Sequence, residues 1–190
     1  GFSNTLGIEG LAVTAGGDAY VLGEGAIDLA EMTTPYDRVF LRKLTSDGAV
    51  VWTRQFGADA CDGAPQGCTQ PSANAGGLGI DSVGNVYVGG SKTGALPGQV
   101  QAGLGDAFVR KYDSNGSHVW TRQFGTEYSD GCSGIATDLE NNVYCVGNTD
   151  GILSGQLSAG STDAFVRKYS GDGNELWTRQ LGSAMRDGYA

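Results

Sequence analysis

The chain has 190 residues, 33 of them Gly, a formal net charge of −9 and a single His. That balance repels nucleic-acid phosphates and anionic lipid headgroups, and no Lys/Arg stripe overrides it, so nucleic-acid binding is excluded as a leading reading. No apolar run approaches the roughly 20 residues that a membrane-spanning helix needs, and a single His leaves little material for catalysis or for a histidine-based zinc site.

In chain order, strand-length runs of Val, Tyr, Phe, Trp and Thr alternate with Gly/Asn/Asp turns throughout. Paired strands are predicted over 10–23, 39–57, 77–90, 107–125, 134–147 and 164–182. Apolar residues at helical spacing occur nowhere, and Ala26 to Met32 reads as a short acidic loop. The chain is therefore predicted to be all-β.

Self-comparison gives the organisation. DAFVRKYDSNGSHVWTRQFG from Asp106 returns as DAFVRKYSGDGNELWTRQLG from Asp163, and GNVYVGG from Gly84 returns as NNVYCVG from Asn141, at a constant offset of 57. A looser copy, VFLRKLTSDGAVVWTRQFG from Val39, stands about eleven residues further off because of an insert after Gly63. Each unit holds four strands, a to d, joined as a meander. Such a sheet is apolar on both faces and buries them only by stacking copies around an axis. The reading is a partial β-propeller of three four-stranded antiparallel blades, near 8–57, 76–125 and 133–182, with 183–190 starting a further blade.

The series GNVYV, DAFVRKYD, NG and VWTRQFG resembles the bacterial β-propeller repeat called SBBP and, more distantly, NHL repeats. The resemblance implies a bacterial-type secreted or cell-surface propeller without assigned catalysis, and it supplies no catalytic residues. Three blades are fewer than the four to eight of closed propellers. The chain starts and stops inside the repeat, so it is expected to be a piece of something longer. Its end faces, with Phe165 and Trp177 among the packing residues, are expected to be covered by further propeller blades or other protein chains, within a larger surface assembly.

Antiparallel order puts the a–b and c–d turns at one rim and the longer, more variable b–c and d–a loops at the other, the better place for binding. Acidic residues collect there: Glu24, Asp28, Glu31, Asp59, Asp62, Glu127, Asp130 and Asp150 form the candidate binding rim. Ca²⁺, a cationic ligand and a surface polysaccharide are its candidate ligands, and solubility with inter-blade pairing is the competing explanation. The leading function is a non-enzymatic scaffold or interaction module. The alternatives are a carbohydrate- or Ca²⁺-binding propeller and an accessory propeller of a larger enzyme. No cofactor is expected.

Single motifs favour structural roles. DSNGS from Asp113 and SGDGN from Ser170 lack the full ligand spacing of a calcium loop and read as hairpin turns. Trp52, Trp120 and Trp177 recur once per blade, which favours inter-blade packing over sugar platforms. The Arg two residues after each Trp, and the Asp-Gly pairs at 62, 130 and 187, are candidates for pairing across blades. His118 replaces Val50 and Glu175 of the sister copies and belongs to an exposed strand edge. Asn115-Gly116-Ser117 is a glycosylation sequon in an exposed turn. Cys61 and Cys68 are expected to form a local disulfide. A turn centred on Glu140 would set residue 132 opposite 148 and 145 opposite 135, so Cys132 and Cys145 are expected to be free thiols.

Overall fold

The computed structural model describes residues 6–25, 39–57, 73–157 and 160–182. These residues hold twelve strands and no helix. The strands are β1 (Gly7–Val13), β2 (Ala19–Glu24), β3 (Val39–Leu44), β4 (Val50–Phe56), β5 (Ala73–Ile80), β6 (Val86–Lys92), β7 (Asp106–Tyr112), β8 (His118–Phe124), β9 (Asp130–Thr137), β10 (Val143–Thr149), β11 (Asp163–Tyr169) and β12 (Glu175–Leu181). They form three separate four-stranded sheets, each an antiparallel meander in sequence order, and none closes on itself. The first strand of the middle blade, β5, lies against both β1 and β9, which makes the first strands the inner edge of the stack. Their approach is close enough to require glycine. A Cβ on Gly77 would lie 2.7 Å from the Cα of Gly134 in the next blade.

Both faces of the middle blade are buried. Val86, Val88, Phe108 and Tyr112 pack toward the first blade with Tyr20, Leu22, Val39, Leu41 and Phe56. Tyr87, Ala107, Val109 and Trp120 pack toward the third with Val143, Cys145, Phe165 and Tyr169. The two interfaces repeat each other in detail. Phe56 meets Phe108 edge-on at 5.7 Å, as Phe124 meets Phe165 at 5.5 Å. The Arg110 guanidinium covers Phe56 as that of Arg167 covers Phe124. Phe165 thus faces the second blade and is 1% exposed, so it does not belong to the outer face of the third, where Trp177 does lie.

One expectation is overturned here. Cys132 and Cys145 are joined as a disulfide, with Cα atoms 5.8 Å apart. Cys145 does face Ile135, but Ser133 is bulged out, so Cys132 pairs with Gly147 instead of Asn148. A one-residue slip turns a side chain to the opposite face of a strand. The bulge therefore turns Cys132 onto the face of Cys145, as its diagonal neighbour, within bonding reach. Register shifts recur at the matching place in β1 and β5. The expected Cys61–Cys68 bridge lies outside the described residues.

The run Trp-Thr-Arg-Gln of each fourth strand divides its work by position. In the first and third blades the Thr hydroxyl accepts from an Arg of the neighbouring strand: Arg42 Nε to Thr53 at 2.9 Å and Arg167 Nε to Thr178 at 2.7 Å. In the second blade the exposed His118 takes Thr121 at 2.9 Å, and the buried Arg110 Nε has no hydrogen-bond partner. Replacing His118 with Val, as the first blade has at Val50, should return Thr121 to Arg110. Thermal melting of His118→Val should show a gain of about 1 kcal/mol, because the bond lost is that of an exposed ring and the bond formed satisfies a buried charged donor. A loss of stability would contradict this assignment.

Candidate binding rim

The sites of interest follow from how the loops are held. The last residue of Trp-Thr-Arg-Gln reaches toward the long-loop rim. Gln123 donates to Gly94 O and Asp106 Oδ2 and accepts from Leu96 N. Gln180 repeats this with Gly151 O, Asp163 Oδ2 and Leu153 N. Each glutamine thereby ties the b–c loop of its own blade to a rigid strand. Leu96 and Leu153 are buried beneath these loops and fix them further.

Between residues 126–128 on one side and residues 150–152 and 160–161 on the other lies an open groove of about 540 Å³, lined by Thr126, Glu127, Tyr128, Asp150, Gly151, Ile152, Gly160 and Ser161. Its lining has two carboxylates, a half-exposed Tyr128, an exposed Ile152 and no basic residue. Gly151 is needed where it stands, because a Cβ would fall 2.4 Å from Thr126 Oγ1. Asp150 N donates to Ser129 O at 2.9 Å, which joins the two walls. Asp150 Oδ1 also accepts from Thr162 at 2.8 Å, and the residue is exposed.

Of the eight acidic residues expected at this rim, the four described ones stand in three different settings. Glu127 and Asp150 share the groove. Asp130 is buried below it, where Oδ2 accepts from Thr126 N and Oγ1 and shapes the loop. Glu24 ends β2, and its Oε1 accepts from Ala75 N at 2.7 Å, a stitch between the first two blades. Asp28, Glu31, Asp59 and Asp62 lie outside the described residues. Among the described residues no three His, Cys, Asp or Glu side chains gather into a metal-binding group. Tyr128, Ile152, Gln123 and Gln180 were not anticipated. The recurrence of Gln at 55, 123 and 180 was the available signal.

At the opposite rim the acids hold turns. Asp138 accepts from Asn142 N at 2.8 Å, Asn142 Nδ2 at 2.9 Å and Tyr144 OH at 3.1 Å, and pairs with Lys168 at 2.9 Å. Asp81 makes the equivalent bonds with Asn85 and Tyr87. Desolvation pulls the Asp138 carboxyl upward, but the bonds from Asn142, Lys168 and Tyr144 outweigh it and hold the group well below the usual carboxylate range. A carboxyl lowered on folding stabilises fully above its unfolded pKa of about 4, and that contribution is lost as the pH falls toward the folded value. The melting temperature of the wild type should accordingly fall more steeply below about pH 4 than that of Asp138→Asn. Parallel curves would remove this role.

The family comparison agrees with the architecture. Residues 119–154 match the β-propeller repeat family SBBP, a span covering most of β8, then β9, β10 and the start of the rim loop. The match places a β-propeller repeat at these residues, and the described residues fold as a partial β-propeller of three four-stranded sheets. Among solved structures it is similar to a protein of unknown function from Bacteroides caccae, at 15% identity and a TM-score of 0.48, covering 95% of this chain and 48% of that one. The chain thus spans about half the length of that protein. No curated protein matches it.

Proposed function

We propose that the chain is a non-enzymatic propeller interaction module that works outside the cell or at its surface, and that its long-loop rim binds a cationic segment of a protein or surface polymer. The observation carrying this reading is the rim groove, in which Glu127 and Asp150 stand with Tyr128 and Ile152 and no base among the lining. An acid-lined cleft with apolar walls attracts cations and gives their aliphatic or aromatic parts a surface to cover. Loops fixed by Gln180 and Leu153 keep that geometry before a ligand arrives, which lowers the ordering cost of binding. The Cys132–Cys145 disulfide supports an oxidising compartment. His118 supports the non-enzymatic reading, since its ring is engaged by Thr121 on an outer strand.

A carbohydrate is the second reading, favoured by the half-exposed Tyr128 beside Asp150. Ca²⁺ ranks lower, because the groove offers two carboxylates where such sites take six to eight oxygens. Calorimetry separates them. An oligolysine peptide should bind the full chain at low salt and weaken as salt is added, with Ca²⁺ and neutral oligosaccharides giving no heat. The double variant Glu127→Gln/Asp150→Asn should weaken the peptide by about fivefold to tenfold, the worth of two exposed ion pairs. Unchanged affinity would refute the groove as the site, and saturable binding of an oligosaccharide would favour the second reading.

A further inference from the structure

The inter-blade interface contains a clasp that occurs twice. Trp52 Nε1 donates to Ser114 O and Arg54 Nε to Gly116 O, at 3.3 and 2.6 Å. Trp120 Nε1 donates to Gly171 O and Arg122 Nε to Gly173 O, at 3.0 and 2.7 Å. In both cases a Trp-x-Arg pair on a fourth strand grips the c–d turn of the next blade. Each gripped glycine is in the left-handed region, at φ 79° and 81°. Each also lies flat under an indole, so that a Cβ would stand 2.8 Å from Trp52 or 2.9 Å from Trp120.

The chain holds one further copy of each half. On the third blade, Trp177 and Arg179 occupy the gripping positions, and Trp177 is 36% exposed where Trp120 is 7% exposed. Arg179 is exposed and already oriented by its bond from Nη1 to Thr178 O, as Arg54 and Arg122 are by theirs, but its Nε bonds nothing among the described residues. On the first blade, the turn from Thr45 to Ala49 has the same form, with Gly48 at φ 88°. Gly48 is exposed, and nothing lies within 4 Å of where its Cβ would be.

A paired substitution says what fits. Inside the stack a Phe of the fourth strand meets a Tyr that ends the next blade's third strand: Phe56 with Tyr112 at 6.3 Å and Phe124 with Tyr169 at 6.2 Å. At the two unused halves both partners are Leu, Leu181 in place of the Phe and Leu44 in place of the Tyr. A Leu–Leu contact replaces a Phe–Tyr contact when these two faces are the ones that meet.

We infer that the outer face of the third blade binds the first blade of a second copy of this chain, head to tail, with Trp177 and Arg179 gripping the Ser46 and Gly48 carbonyls of that copy. The contact joins different surfaces, so it propagates into chains or a closed ring. It involves neither Glu127 nor Asp150, so its failure and that of the rim groove are separate results.

Sedimentation velocity on the full chain tests it. The wild type should self-associate with rising concentration. Trp177→Ala/Arg179→Ala removes the grip. Gly48→Asn blocks the turn, with a residue that tolerates left-handed backbone and whose Cβ has no atom of the described residues within 4 Å. Each variant alone should stay monomeric with an unchanged circular dichroism spectrum, and their equimolar mixture should form a one-to-one dimer and nothing larger. A wild type that remains monomeric throughout would overturn the inference, placing the occupant among blades outside these residues. Self-association unaffected by both variants would overturn it equally.

Discussion

A four-stranded blade of this repeat has two apolar faces, and no blade can cover its own. Everything else in the structure answers that constraint. The middle blade satisfies it from both sides, with Phe108 toward the first blade and Trp120 toward the third. Apolar burial supplies the bulk of the drive, but it is non-directional and would allow the blades to slide. The Trp-x-Arg clasp fixes the register, because a guanidinium N–H and an indole N–H must each find a particular carbonyl of the next turn.

That the acceptors are backbone carbonyls explains a pattern in the sequence. The turns read SDG, SNG and GDG in the three copies, while Trp, Thr, Arg and Gln recur unchanged. The turn has only to offer a carbonyl and a left-handed Gly, so its other side chains are free to vary. The donors have no such freedom. The same strand also serves the opposite rim, where Gln123 and Gln180 hold the b–c loops through the main chain of Gly94 and Leu96 and of Gly151 and Leu153. A scaffold that binds its loops by main-chain groups leaves their side chains available for recognition, and the groove of Glu127, Tyr128 and Asp150 arises in that space.

Strand number, meander order and the packing role of the tryptophans were legible, because an offset of 57 equates positions between copies and Gly/Asn turns punctuate them. Register was not. The bulge at Ser133 leaves the hydrophobic alternation of β9 ambiguous by one residue, and that residue decides whether Cys132 and Cys145 bond. The target of the arginines was hidden for a related reason. Charge suggested an Asp-Gly partner, whereas Arg122 reaches a glycine carbonyl, and Asp130 turns to Thr126. A sequence displays charges but not backbone carbonyls. Of the described rim acids, Glu127 and Asp150 line one groove, and the sequence could not show that Asp130 and Glu24 are taken up by loop shaping and blade stitching.

The central claim is that the clasp, and not the charge of its arginine, holds neighbouring blades in place. Comparing Arg122→Ala with Arg179→Ala by denaturant unfolding, at a concentration where the chain is monomeric, tests it most directly. The two residues occupy equivalent positions and each bonds the carbonyl of the preceding Thr, but among the described residues only Arg122 also grips a carbonyl of the next blade's turn. The account predicts a loss of about 1.5–3 kcal/mol for Arg122→Ala, the worth of a hydrogen bond to a charged group, and almost none for Arg179→Ala. Equal losses from the two substitutions would contradict it.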